Sequence, residues 1–281
     1  MKPILDKNQK TLYDIIEENG TIFKEKKVFT TDYIPESYKY RDMQLKKMAI
    51  LSKGIREGLT PSNMILNGKT ATGKTSSLLK FFELLEKRYE NVITVLVNCQ
   101  INRTEYKIYT KIYKKIFGIE ISVGGLSTFN IYTRIMEYIS KENKVLIVGL
   151  DDYDVIKSNK ELNKTLYTLL RAYESFKNAK VSVIATTNNL ETILTDSAVA
   201  STFHPSEVQF ISYTQSQIKN ILKERCRLGF YKGVINDKII DDLVNYVYYK
   251  GDLRIAIKML LNAGNNAESR NSVKIAKFDF K

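Results

Sequence analysis

The sequence predicts a doubly wound α/β domain followed by a small, all-helical domain. Five short runs of β-branched and apolar residues alternate with amphipathic segments, the pattern of a parallel sheet covered by helices on both faces. Strand-like runs stop near residue 212, and helical segments follow. The chain has 281 residues, 43% hydrophobic and 27% charged, which suits a globular protein and excludes collagen-like and disordered classes.

The five predicted strands are short, carry apolar side chains on both faces and are bounded by turn residues. They are residues 64–68, 92–98, 144–150, 180–187 and 207–211. Between them, apolar residues recur at spacings of three and four, which places them on one face of a helix. These stripes are Leu78/Phe81/Phe82/Leu85, Ile108/Ile112/Ile116, Ile131/Ile135/Met136/Ile139 and Leu162/Leu166/Leu169/Leu170.

Capping signals predict the helices of the second domain. Thr214 and Gln217 fit a capping box that opens a helix through Arg225. Further helices are predicted to begin near Asp237 and near Asp252.

The domain boundaries follow from these elements. We assign residues 1–212 to the α/β domain, with about 1–20 as an N-terminal extension, and residues 213–270 to the helical domain. Residues 271–281 are a tail without a recognisable pattern.

The charge balance indicates a polyanionic partner. The chain has 44 Lys and Arg against 31 Asp and Glu, a net charge of +13. Its apolar runs are too short for a membrane span, and its N-terminus does not resemble a secretory signal. Two cysteines and one histidine exclude a disulfide framework and a His-rich metal site, so we expect a cytoplasmic location.

The strongest chemical motif is the segment 68–75, which fits the P-loop pattern G-x-x-x-x-G-K-[ST] and lies between a predicted strand and a predicted helix. Its backbone N–H groups would surround phosphates, helped by the positive end of the following helix. Lys74 would reach the β- and γ-phosphates, and the Thr75 hydroxyl would bind Mg²⁺. The predicted ATP/ADP-binding residues of this segment are Gly68, Lys69, Thr70, Ala71, Thr72, Gly73, Lys74, Thr75 and Ser76.

Further polar residues follow other predicted strands. Asp151 and Asp152 end an apolar run, where Asp151 would hold Mg²⁺ and Asp152 would activate the attacking water. Asn188 follows the fourth strand and could position that water, or merely turn the chain. Arg254 lies near the start of the last helix and could reach the phosphates, or be a solvated arginine.

Taken together, these segments make the sequence similar to the archaeal replication initiators among the AAA+ ATPases, the branch that joins the origin recognition complex subunit 1 type with the cell division control protein 6 type. The resemblance spans roughly residues 22–265. It rests on DYIPESYKYRDMQL (32–45), VNCQ (97–100), GLST (125–128), LDDYD (150–154), TTNNL (186–190), SEVQFISYTQSQIKNILKERCRLGF (206–230) and GDLRIAIKMLLNAG (251–264).

The resemblance implies an AAA+ fold, and a slow ATP-dependent switch that binds duplex DNA, recognises origins and helps to load the replicative helicase, with another initiator subunit as a further partner. It implies that Asn188 is the sensor on the strand and Arg254 the sensor on the lid. It also implies that Ile34, Pro35 and Arg41 line the adenine pocket. A nucleoid-associated location follows.

Three departures from the family pattern change these expectations. Asp152 stands where the family has Glu, so water activation should weaken. Ala198 stands where the family usually has Arg, and it cannot act as an arginine finger. Too few residues follow the lid for the family's winged-helix domain, so we expect a chain without one.

The predicted DNA contact is a helix over residues 103–118 with a lysine-rich face. Lys107, Lys111, Lys114 and Lys115 point away from its apolar stripe, so they could bind phosphates or simply be solvated. Two functional alternatives stay open. The protein could be a nucleotide-binding adaptor with little turnover, or another AAA+ helper ATPase of the transposition or clamp-loader type.

Overall fold

The structure is a computed structural model, and it describes residues 22–30, 33–35, 39–122, 125–156, 160–189 and 201–280. The described residues divide into two compact units. Residues 34–213 form one unit, and residues up to 33 together with 214–281 form the other.

The first unit is built on a five-stranded parallel sheet with strand order β2-β3-β4-β1-β5. The strands are β1 (Met64–Asn67), β2 (Val92–Asn98), β3 (Val145–Asp151), β4 (Lys180–Thr187) and β5 (Ser206–Gln209). All five predicted strands are present, with boundaries shifted by at most two residues. Because neighbouring strands are parallel, all carboxyl ends lie at one edge of the sheet.

This unit also contains helices. They are α1 (Asp42–Leu51), α2 (Lys74–Arg88), α3 (Glu105–Phe117), α4 (Thr128–Lys141), α5 (Lys160–Leu170) and the short α6 (Ala172–Ser175). Short 3₁₀ turns lie at Lys53–Glu57 and Tyr153–Ile156. The sequence stripes predicted α2 to α5, whereas α1 and α6 were missed because neither has a clear apolar stripe.

Helices cover both faces of the sheet, as the apolar strands require. Side chains of α3, α4 and α5 pack with Ile65, Leu146 and Val148 on one face. Side chains of α1 and α2 pack with Met64 and Ile147 on the other. Adjacent strand residues alternate between the two cores, and each fully buried aliphatic side chain contributes about 1.5–3 kcal/mol. The doubly wound α/β class predicted from the sequence is therefore confirmed.

The second unit is helical. It contains α7 (Gln215–Gly229), α8 (Asp237–Lys250), α9 (Leu253–Ser269) and 3₁₀ turns at Lys26–Phe29 and Lys277–Phe280. The predicted capping box of Thr214 and Gln217 is present at the start of α7. Asn236 and Asp252 cap the two following helices.

Residues from the N-terminal and C-terminal parts of the chain pack within this helical unit. Phe29 contacts Phe230 with ring centroids 4.4 Å apart, and a Cβ on Gly229 would collide with the Phe29 ring. At the other end, Asp279 is buried in an ion pair with Arg270 at 2.8 Å. Residues 22–30 and Tyr33 thus belong to the helical unit, rather than to the α/β domain in which the sequence analysis placed them.

Candidate functional site

The P-loop leaves the carboxyl end of β1 and leads into α2, as the sequence predicts. Its two glycines are required by geometry. A Cβ on Gly68 would collide with the carbonyl oxygen of Phe210. Gly73 has a φ of +84°, and its Cβ would lie 3.0 Å from the Tyr213 hydroxyl. Ala71 also adopts a left-handed backbone, with a φ of +59°, so the loop is tightly curled.

Lys74 is buried and points back into the loop. Its ammonium donates hydrogen bonds to the carbonyl oxygens of Gly68 (2.6 Å) and Lys69 (2.9 Å). It also donates to the side-chain oxygen of Asn188 at 2.9 Å. Lys74 is only 6% exposed, so its charge lies in a low-dielectric site that an anion would complement.

Thr75, in the first turn of α2, contacts Asp151, at the end of β3. The Thr75 hydroxyl donates to Asp151 Oδ1 at 2.7 Å, and the Thr186 hydroxyl donates to the same oxygen at 2.8 Å. Asp151 is 5% exposed, and burial raises the pKa of its carboxyl group, an effect that these two hydroxyl groups oppose. A buried carboxylate beside a hydroxyl oxygen is a donor set suited to a small hard cation.

Asp152 and Asn188 are held by side chains that sequence reasoning did not assign. Asp152 Oδ2 accepts a hydrogen bond from Gln100 Nε2 at 2.9 Å. Asp154 Oδ2 accepts one from the Asn188 backbone N–H at 2.6 Å, and its other oxygen accepts from the Thr187 hydroxyl. Asp154 therefore fixes the backbone from which Asn188 reaches Lys74. The sequence did contain a signal for Asp154, because this residue is the last of the LDDYD segment that carries the family resemblance.

Arg41 lies against the P-loop backbone. Its Nε donates to the Thr72 carbonyl at 2.8 Å and its Nη2 to the Ile211 carbonyl at 2.9 Å. Its guanidinium lies 3.8 Å from the centroid of the Tyr213 ring. Ile34, by contrast, is exposed and Pro35 is half-buried, so an adenine-lining role stays a prediction for all three residues.

The remaining loop residues show how the segment is held. Thr72 is buried, and its hydroxyl donates to the Lys69 carbonyl at 2.8 Å. Lys69 and Thr70 are exposed, and Ser76 is half-buried. The nucleotide-binding roles of these residues stay predictions.

Two other predicted residues are not tested by this geometry. Arg254 pairs with its own helix cap, Asp252, through two hydrogen bonds of 3.2 Å, so its sensor role stays a prediction. Ala198 lies outside the described residues.

The lysine face of α3 is exposed as predicted. Ile108 and Ile112 are buried, while Lys107, Lys111, Lys114 and Lys115 are exposed. Lys114 pairs with Glu120, and Lys115 pairs with Glu86 at 3.0 Å. Contact of these lysines with DNA stays a prediction. No helix in the described ranges combines the length and the apolarity that a bilayer span requires.

Comparisons with protein families define the class. An AAA domain matches residues 57–194, and a Cdc6 AAA+ ATPase-type lid domain matches residues 219–279. With the parallel sheet, the P-loop and the helical unit, these matches define an AAA+ protein with a Cdc6-type lid.

Individual relatives narrow the class. The chain is 36% identical over 262 residues to ORC1-type DNA replication protein 2 of Methanothermobacter thermautotrophicus, covering 93% of this chain and 69% of that protein. The solved Aeropyrum pernix ORC1 protein in complex with DNA matches with a TM-score of 0.83 and 26% identity, over 94% of this chain and 69% of that chain. The Aeropyrum pernix ORC2 protein, solved as ADPNP–ADP complexes, shares the fold with a TM-score of 0.80 at 21% identity, over 92% of this chain and 71% of that one. The chain therefore belongs to the family of ORC1-type DNA replication proteins, and the resemblance noted from the sequence is confirmed.

Proposed function

We propose that this protein binds ATP with Mg²⁺ at the loop 68–75 and acts as a slow ATP-dependent switch in the initiation of DNA replication. The observation that carries the proposal is the hydrogen-bonded network of Lys74, Thr75, Asp151 and Asn188 at the carboxyl edge of the sheet, in which Lys74 and Asp151 are buried. Membership of the replication-protein family and the ADPNP–ADP complexes of the Aeropyrum pernix ORC2 protein support it.

Thr75 and Asp151 would hold the metal ion. Both offer hard oxygen ligands, and their oxygens lie 2.7 Å apart, with Asp151 buried and Thr75 half-buried. When bound, Mg²⁺ would neutralise part of the charge on the β- and γ-phosphates. Lys74 would then exchange its carbonyl partners for phosphate oxygens, since an ammonium prefers an anionic acceptor.

Hydrolysis would use Asp152 and Asn188. Asp152 would accept a proton from the water that attacks the γ-phosphate, and Asn188 would orient that water. Aspartate is one methylene shorter than glutamate, and its Oδ2 already accepts the hydrogen bond from Gln100. Both features favour slow turnover.

The exposed lysines of α3 would contact duplex DNA. Lys107 and Lys111 are in no ion pair with the described residues, so phosphates would not have to displace a carboxylate from them. Contact with phosphates fixes position without reading sequence, so this face would supply affinity rather than origin specificity. Another initiator subunit and the replicative helicase are the further partners that we propose.

The test is a side-by-side measurement of ATP turnover and duplex DNA binding, alone and with a second initiator subunit. We expect micromolar or tighter ATP binding, turnover well below the usual median of about 10 s⁻¹, and salt-sensitive DNA binding. The Asp152→Glu variant should hydrolyse ATP several-fold faster with unchanged affinity. Failure of the parent protein to bind ATP would overturn the proposal.

A second candidate function is a nucleotide-binding adaptor that assembles with partners without turnover. The contact between Gln100 and Asp152 favours it, because the carboxylate that should activate water is already engaged. Undetectable hydrolysis by both the parent and the Asp152→Glu variant, with intact ATP binding, would select the adaptor.

A further inference from the structure

Arg41 is a buried cation beside the P-loop. Its side chain is 4% exposed, and its guanidinium donates to the carbonyl oxygens of Tyr40, Thr72 and Ile211. These three carbonyls belong to the segment before α1, to the P-loop and to the segment after β5. One planar side chain therefore joins three separate parts of the chain, which the fork geometry of arginine allows and a lysine could not reproduce.

Two aromatic rings lie close to this guanidinium. The Tyr213 ring lies 3.8 Å away and the Phe210 ring 5.7 Å away, measured from the guanidinium carbon to each centroid. The Tyr213 hydroxyl also lies 3.0 Å from the point where a Cβ on Gly73 would be. Arg41 and Tyr213 thus hold the loop at its second glycine, immediately before Lys74.

The charge of Arg41 has no buried counter-ion in the part of the chain that the structure describes. Its polar partners there are three carbonyl oxygens and the Tyr213 hydroxyl, with no carboxylate among them. Burial lowers the pKa of the guanidinium, yet arginine keeps its proton at every accessible pH. A buried positive charge of this kind is costly until an anion comes near.

We propose that Arg41 is a positioning residue for phosphate binding: it sets the conformation of the loop around Thr72 and Gly73 and adds an electrostatic attraction for the polyphosphate of the nucleotide. The proposal rests on the proposed function only in taking the loop as the phosphate site. It differs from the role implied by family resemblance, in which Arg41 borders the adenine. The two roles predict different losses when the side chain is replaced.

The experiment measures the affinities of ATP, GTP and inorganic tripolyphosphate for the parent, Arg41→Met and Arg41→Lys proteins. We expect Arg41→Met to weaken ATP and tripolyphosphate by the same factor, tenfold or more, while the ratio of ATP to GTP affinity stays unchanged. Arg41→Lys keeps the positive charge but loses the forked guanidinium, so its affinities for ATP and tripolyphosphate should lie between those of the parent and Arg41→Met proteins. The matched control is Arg56→Met, at an exposed arginine of the same unit, which should change none of these affinities.

The opposite result would overturn the proposal. If Arg41 lines the adenine, its replacement will change the ratio of ATP to GTP affinity and leave tripolyphosphate binding as it was. If Arg41→Met does not fold, as judged by circular dichroism and thermal unfolding, Arg41→Lys decides between the same two outcomes. A parent protein that binds tripolyphosphate but not ATP contradicts the proposed function and leaves this inference standing, whereas a parent that binds neither contradicts both.

Discussion

The P-loop edge of the sheet and the lysine face of α3 are the two places where we propose phosphate binding, and they are built in opposite ways. At the sheet edge, Lys74 and Asp151 are buried and each makes several hydrogen bonds of normal length. On α3 the lysines are exposed, and Lys107 and Lys111 have no ion pair among the described residues. A buried, connected site depends on each of its members, whereas an exposed face depends on the sum of its charges.

The largest effect should come from Lys74→Ala. Loss of charge-assisted hydrogen bonds to phosphate, about 1.5–3 kcal/mol each, should lower ATP affinity roughly 100-fold or more in calorimetry. Lys80→Ala is the matched control, because Lys80 lies on the same helix and pairs with Glu83 at 3.0 Å. Unchanged ATP affinity in Lys74→Ala would remove the P-loop from the proposed function.

The next effect should come from Asp154→Asn. Asp154 accepts a hydrogen bond from the backbone N–H of Asn188. Loss of the Asp154 carboxylate should therefore misplace the Asn188 side chain and lower ATP turnover about tenfold. ATP affinity should change by less than about twofold, because the hydrogen bonds of Asp154 in the described part of the chain go to Thr187 and Asn188 and not to the loop that we assign to phosphate.

A double-mutant cycle tests whether Asp154 acts through Asn188. Asn188→Ala should lower turnover alone, and adding Asp154→Asn to it should cause no further loss. Losses that multiply would show that Asp154 works by another route. A thermal unfolding measurement on each variant separates misplacement of Asn188 from loss of the fold.

A smaller, salt-dependent effect should come from the lysine face. Lys107→Glu with Lys111→Glu should weaken duplex binding several-fold and reduce the log–log salt slope by about 1.8, which is roughly 0.9 for each lost phosphate contact. The matched pair is Lys114→Glu with Lys115→Glu, where the effect should be less because Glu120 and Glu86 already engage these lysines. Equal effects would show that pairing is irrelevant, and no effect would make α3 a merely solvated face.

The smallest effect should be on stability and should depend on pH. Burial raises the pKa of Asp151, so the native state holds that proton more tightly than the unfolded chain does. The free energy of unfolding therefore falls as pH rises from the unfolded to the folded pKa, and the loss is complete above the folded value. Without nucleotide or metal, Asp151→Asn should raise Tm at pH 8 by roughly 2–4 °C, the shift that about 1 kcal/mol gives at this size.

The comparison for this last prediction is Asp279, whose pKa is lowered by its hydrogen bonds and ion pair with Arg270. A lowered pKa contributes stability above the unfolded value that is lost as pH falls through the folded one, so Asp279→Asn should lower Tm at pH 8. The Tm difference between parent and variant should shrink toward acidic pH in both cases. A Tm gap for Asp151→Asn that stays constant with pH would contradict the assignment to carboxylate burial.

Much of the fold could be predicted because its signals are local. The five strands are apolar runs of a few residues, and the capping box at Thr214 requires only the nearby Gln217. Helix α1 was missed because it buries one residue, Met48, and lacks a stripe that a periodic search detects. The position of Phe23 and Phe29 could not be predicted, because they pack against helices that lie 200 or more residues later in the chain.

The candidate site divides in the same manner. The P-loop is a motif of consecutive residues, and Asp151 directly follows an apolar strand. Both could therefore be recognised from neighbouring residues in the sequence. The roles of Asp154, Gln100 and Tyr213 arise from contacts between the ends of different strands. No spacing rule in one sequence specifies which side chain will meet which.

By itself, the sequence determined the α/β class, the phosphate loop, the acidic residue on β3 and the lysine face of α3, because each depends on residues close together in the chain. Only the tertiary structure decided that Arg41 hydrogen-bonds to the backbone of the P-loop, that Asp154 accepts a hydrogen bond from the Asn188 backbone, and that the N-terminal segment packs with the helical unit. The physical reason is that parallel strands bring their carboxyl ends to one edge, so the partners there come from segments that are distant in sequence.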